Sequence, residues 1–219
     1  MASASSSWAL WVDRLGGYLV CRSDRISMGS SRPIADSDEL APDIPLLAPL
    51  RPIHLWLQRD REGYVWQAVG RCRYLGREWS AGRWAPNTAL SLLTDTGEEA
   101  ARLHLYLPDP ALLTARLTWS PPIRAPLHFQ AALLVSQALH LGPAPTAHVR
   151  SELLPETWLF PTYGGWLLRS AAPVVFVQRQ SHGEPEATSV SPPGEVQLPT
   201  CWQIRIAEIY LRLESFPAP

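Results

Sequence analysis

Apolar residues along this chain mostly alternate with polar ones or come in short runs. GYLVC (17–21), RISM (25–28), IHLWLQ (53–58) and YVWQAV (64–69) read as strands separated by turn residues. RLHLYL (102–107) and LTARLTW (113–119) alternate cleanly, so each predicts a strand with one buried face. The same holds for 204–206 and 209–213, where a phase slip near Glu208 predicts a β-bulge. Twenty-two prolines and thirteen glycines are scattered through the chain and leave little room for helices of normal length. The expected fold class is all-β, an antiparallel β-sandwich.

One order of features occurs twice. The first run is RISMG, a loop, DIPLL, IHLWLQ, then REG-YVWQAV; the second is ALHLG, a loop, HVRSEL, TWLF, then YGG-WLLRS. Gly29 to Gly63 spans 34 residues and Gly142 to Gly165 spans 23, and most of the excess lies in SSRPIADSDELAP (30–42). A loop enlarged in one copy is a candidate recognition element, because a rigid scaffold tolerates insertions best where it binds. The repeat predicts two tandem related units, 8–120 and 121–219, with a boundary near SPPIRAP (120–126).

Charge and cysteine content narrow the partners. All nineteen basic residues are arginine, against twenty carboxylates and a formal net charge of −1. Any anion site must therefore use guanidinium forks, and neither a nucleic acid nor an anionic membrane is expected as partner. Cys21, Cys72 and Cys201 are widely spaced and odd in number, which predicts reduced thiols and a cytoplasmic setting. The N-terminal stretch MASASSSWALWVDRLGG lacks a basic n-region and is broken by Asp13 and Arg14; no segment reaches about 18 apolar residues, so no membrane insertion is expected.

Catalytic signatures do not occur: there is no Gly-x-Ser-x-Gly, His-Glu-x-x-His, Gly-x-x-x-x-Gly-Lys or Gly-x-Gly-x-x-Gly. The six histidines are never closer than eight residues, so no metal and no cofactor is expected, although distant strands could unite His128, His140 and His148. The acidic run DSDE (36–39) reads as a solvated loop rather than a cation site. Trp56, Trp66, Trp158 and Trp166 fall in strand patterns and predict core packing; Trp79 and Trp84, in GREWSAGRW, predict exposure beside Arg77 and Arg83. Exposed Trp with Arg suits an interface hot spot, and a flat Trp79/Trp84 shelf would suit a carbohydrate.

GGYLVCRSDRISMG (16–29), DIPLLAPLRPIHLWL (43–57) and REGYVWQAV (61–69), followed by RLHLYLP, resemble in order and spacing the forkhead-associated (FHA) domain. The continuation through LLTARLTWSPPIR resembles a bacterial subgroup with a second, degenerate FHA-like unit. The resemblance implies an antiparallel β-sandwich whose apical loops bind phosphothreonine peptides. It implies a phosphate-holding Arg after the glycine, a Ser-x-x-His motif, and an Asn-Gly that supports the peptide backbone. Here the Arg position is Ser30, the Ser position is Arg51, the His is His54, and Asn-Gly falls on Leu75-Gly76.

Two phosphate ligands have thus changed identity and the amide is gone. Charge-assisted hydrogen bonds contribute roughly 1.5–3 kcal/mol each and about 1.4 kcal/mol is tenfold in affinity, so such losses take a micromolar site to millimolar. The expectation is a non-catalytic protein–protein interaction module or scaffold of the signalling type, with a protein partner at loops 29–42, 47–54 and 74–84. Its alternative is a phosphopeptide-binding module in which Arg51 replaces the usual ligands, with Ser30, Ser31 and Arg32 beside it. From another class stands a carbohydrate-binding or enzymatic β-sandwich.

Overall fold

The computed structural model describes residues 7–31, 41–120, 129–178 and 186–216. Among them the chain is all-β. The first strands are β1 (Ser7–Val12), β2 (Gly16–Cys21), β3 (Arg25–Ser30), β4 (Ile44–Leu46), β5 (Leu55–Asp60), β6 (Gly63–Ala68), β7 (Arg71–Tyr74), β8 (Arg77–Glu78), β9 (Ala81–Trp84), β10 (Ala89–Leu93) and β11 (Glu99–Tyr106). A single 3₁₀ turn, Pro110–Leu112, then leads to β12 (Ala115–Ser120). The rest are β13 (Phe129–Leu134), β14 (Leu139–Gly142), β15 (Val149–Arg150), β16 (Thr157–Thr162), β17 (Gly165–Ser170), β18 (Val174–Gln178), β19 (Glu186–Ser191), β20 (Gly194–Leu198), β21 (Trp202–Ile206) and β22 (Ile209–Phe216).

These strands form one twelve-stranded sheet and two five-stranded sheets. The large sheet runs β19-β18-β21-β22-β1-β2-β13-β12-β11-β10-β7-β8, and the small ones run β4-β3-β5-β6-β9 and β15-β14-β16-β17-β20. At the centre β2 and β13 lie parallel, and outward from them the two wings of the large sheet follow the same sequence of connections. The closing strands cross over: β1 pairs with β22, and β12 pairs with β11 and β13. Residues 121–128, which contain the expected unit boundary, lie outside the described residues, and strands from both sides of them share the large sheet.

Alternation along the central strands explains why two small sheets are needed. In β1 Ala9 faces one core while Trp8, Leu10 and Val12 face another; in β2 Leu19 and Cys21 face the first while Tyr18 and Val20 face the second. Successive side chains of a strand point to opposite faces, so the two small sheets cover opposite faces of the large one. The first core is filled from the β4-to-β9 sheet by Met28, Leu55, Leu57, Trp66 and Trp84, and the second from the other small sheet by Leu141, Leu159, Trp166 and Leu168. GYLVC reads as an unbroken apolar run because β2 is covered on both sides.

Three expectations change. The phase slip near Glu208 is a two-residue turn, not a bulge: Ile206 pairs with Ile209 and Ala207 takes a φ of 50°. Trp84, expected at the surface, is 1% exposed and its indole N–H donates to the carbonyl of Thr88. Trp56 and Trp158, expected in the core, sit half-buried on the outer faces of the small sheets, because their neighbours Leu55, Leu57 and Leu159 take the inward positions; Arg25 stacks on Trp56 and His140 on Trp158. Trp66 and Trp166 are buried as expected.

Candidate functional site: the loop end of the first sandwich

Residues 47–54, 69–70 and 94–98 converge where β3 ends. Gly29 is required there: a Cβ would fall 1.8 Å from the carbonyl oxygen of Pro52, so only glycine lets β3 run against the 51–52 backbone. The contact is sealed by the amide of Ser30 donating to the Arg51 carbonyl at 2.9 Å and that of His54 donating to the Met28 carbonyl at 2.8 Å.

His54 organises the loops. Its Nε2 lies 3.0 Å from the carbonyl of Arg71, which can only accept, so Nε2 carries the proton and Nδ1 accepts the amide of Arg51 at 3.4 Å. Burial, helped by the nearby Arg51 guanidinium, holds the imidazole below its ordinary pKa and so in this neutral form. The ring packs on Gly70, where a Cβ would come within 2.2 Å of it. His54 thus ties the 51–54 loop to the link between β6 and β7.

Arg51 is half-exposed and engaged. Its Nη1 donates to the carbonyl of Val69 at 3.1 Å and its Nη2 to Asp95 Oδ1 at 3.2 Å. Arg71 extends the chain, donating to the Asp95 carbonyl at 3.0 Å and in a two-bond fork to Glu78. Ser30 is buried and its hydroxyl donates to the Ala48 carbonyl at 3.2 Å, whereas the Ser31 hydroxyl is buried with no partner among the described residues. Arg32 lies outside the described residues, as does most of the enlarged loop.

The structure separates the remaining site residues, Trp79 excepted, from this cluster. Leu75 and Gly76, with φ of 49° and 81°, form the two-residue turn between β7 and β8. Tyr74 pairs with Arg77 there, so Arg77 also stands at the end of β7 remote from Arg71. Trp79 is 54% exposed, and its amide donates to the Cys72 carbonyl, which returns it to the loop end beside Val69. Trp84 and Arg83 lie at the opposite end, where Arg83 forks onto Asp60 and holds that carboxyl down at about 2. Trp79 and Trp84 therefore form no shelf. A concavity of about 350 Å³ at that end is lined by Tyr64, Trp84, Pro86 and Leu107.

Sequence reasoning missed Val69, Gly70, Arg71 and Asp95. The link that faces Arg51 is Val69-Gly70, six residues before Leu75-Gly76, and its signal was the glycine directly after the strand YVWQAV. Asp95 lies in the turn cluster TDTG, which marks a turn but not its contact with Arg51.

In the second half of the chain the equivalent connections are differently furnished. Ser27 and Asp43, which bond each other ahead of the β3–β4 pairing, have their counterparts in His140 and His148 ahead of the β14–β15 pairing. His140 also bonds Glu156 through Nε2. Two histidines and a carboxylate are thus neighbours, but both nitrogens of His148 are engaged by the His140 amide and the Thr114 carbonyl. His128 lies outside the described residues, and no group of three metal-ligating side chains occurs among the described ones.

Among the described residues no helix is long and apolar enough to cross a membrane. No family model, curated protein or solved structure matches the chain.

Proposed function

We propose that the chain is a non-catalytic, FHA-like interaction protein of two related units, acting in the cytoplasm, whose protein partner docks on the loop end of the first sandwich. The observation that carries this reading is the surface formed there. Val69 and Trp79 stand exposed beside Arg51 and Arg71, on loops fixed from below by His54. Aromatic and guanidinium groups on a rigid base supply contact area at low entropic cost.

A scaffold that does not read phosphate is the favoured version. The hydroxyl at Ser30 and the guanidinium at Arg51, which occupy the phosphate-holding positions of the resemblance, already have protein partners in Ala48, Val69 and Asp95. Phosphopeptide binding has one observation in its favour, the hydroxyl of Ser31, unpartnered among the described residues and one position beyond the Ser30 amide that bonds the Arg51 carbonyl. A peptide array in phosphothreonine and plain-threonine versions separates them. Equal binding of both versions, lost with Trp79→Ala, is the expected result; binding only of phosphorylated peptides, lost with Arg51→Ala, reverses the preference.

A further inference from the structure

The large sheet carries a second surface away from these loops. Cys72, Tyr74, Leu103, Leu105 and Leu117 point into the first core, so the alternate residues of β7, β11 and β12 stand on the opposite face. Cross-strand register places Arg73 next to Ser91, Ser91 next to Arg102, His104 next to Thr118, and Tyr106 next to Arg116. Arg102 and Tyr106 are exposed, so the second small sheet does not cover this wing.

Charge on this face is unbalanced. Among the described residues Arg71, Arg73, Arg102 and Arg116 meet Glu78, forked by Arg71, and Glu99, held by Arg102 and the Ser91 hydroxyl, while Asp95 beside Arg71 is paired with Arg51. Neither Arg73 nor Arg116 forms an ion pair among the described residues. Arg116 is half-buried, and its Nε–H is buried without an acceptor among the described residues. A guanidinium partly withdrawn from water and left unpaired gains more from an incoming anion than a solvated one does.

We propose that this face docks an acidic segment of a partner protein, laid across the strands so that its carboxylates reach Arg73 and Arg116. Three interstrand steps separate β7 from β12, about 14 Å at roughly 4.8 Å per step, and register sets Arg73 level with Ser120, four residues or about 13 Å along β12 from Arg116; an extended chain at about 3.3 Å per residue covers the diagonal of about 20 Å in about six residues. Two carboxylates at that spacing each find a planar fork with two parallel N–H donors. The stacked rings of His104 and Tyr106, 6.3 Å apart, flank the path beside Arg116. The surface shares Arg71 with the loop end, but its two anchors, Arg73 and Arg116, are not loop-end residues, so variants at them test it apart from the loop-end reading.

The test uses the full chain and a fluorescein-labelled peptide of ten glutamates, followed by anisotropy at low and high salt. Saturable binding is expected, weakening as salt rises, at least tenfold weaker for Arg73→Gln/Arg116→Gln and unchanged for Trp79→Ala. Because Arg116 is half-buried, the single Arg73→Gln variant is measured as well, with at least a threefold loss expected, and circular dichroism confirms that each variant is folded. Equal binding by wild type and both variants overturns the proposal. So does tighter binding of a single-stranded oligonucleotide at the same arginines, which would make the face a nucleic-acid surface.

Discussion

The main-chain amide of His140 donates to Nδ1 of His148 at 3.1 Å, and the other ring nitrogen, protonated, lies 3.1 Å from the carbonyl of Thr114. The imidazole is fully buried and neutral in this arrangement, and burial pushes its pKa from 6.5 down to about 4. A base whose pKa is lower folded than unfolded binds more protons when unfolded. Its contribution to stability is therefore complete above pH 6.5 and is lost as pH falls towards about 4. Within that window the slope is about 1.4 kcal/mol per pH unit, on the order of 3 kcal/mol in all. Denaturant titrations at pH 7 and pH 5 should show the loss, and His148→Asn, which keeps an acceptor for the His140 amide, should flatten it.

Most strands were legible because one face of each is buried. RLHLYL alternates since Leu103 and Leu105 enter the first core while Arg102 and Tyr106 meet solvent. The pairing of β1 with β22 was not legible, since alternation fixes which side chains turn inward but not which strand lies alongside. The loop site was half legible for a related reason. Arg51 and His54 sit within one strand-entry pattern, whereas Asp95 reaches Arg51 from 44 residues away: Asp95, Thr96 and Gly97 mark a turn but not its partner.

The fit of His54 against Gly70 predicts a coupled pair. Gly70→Ala places a methyl carbon 2.2 Å from the ring, an overlap that the surrounding backbone bonds resist. A cost of about 1–3 kcal/mol is expected. His54→Ala alone should cost a similar amount by leaving the Arg51 amide and the Arg71 carbonyl without their partner. In the double variant the methyl has no ring to meet, so urea midpoints should give a loss smaller than the sum of the two. Strict additivity would mean that the ring does not hold the loops together.

Trp79 and Trp84 belong to one short sequence stretch yet should respond in opposite ways to truncation. Trp84 fills the first core, and Trp84→Ala should destabilise by about 3–5 kcal/mol. Trp79 is half in solvent and, among the described residues, is hydrogen-bonded to the fold through its amide, so Trp79→Ala should change stability by no more than about 0.5 kcal/mol. Thermal melts read the first difference directly, and partner binding at the loop end reads the second.

Strand crossing between the wings of the large sheet makes a prediction about cooperativity. β1 pairs with β22 along six residues, Trp11 donates its indole N–H to Glu214 at 2.7 Å, and alternate residues of β1 and β2 enter different cores. Losing either core strips one face of the same central strands, so neither core can melt while the other keeps its full sheet. Leu57→Ala in the first core and Leu211→Ala in the second should each remove about 2–5 kcal/mol. Both should lower a single calorimetric transition whose van't Hoff and calorimetric enthalpies agree. Two transitions, each moved by only one of the variants, would show instead that the wings unfold as separate units despite their shared strands.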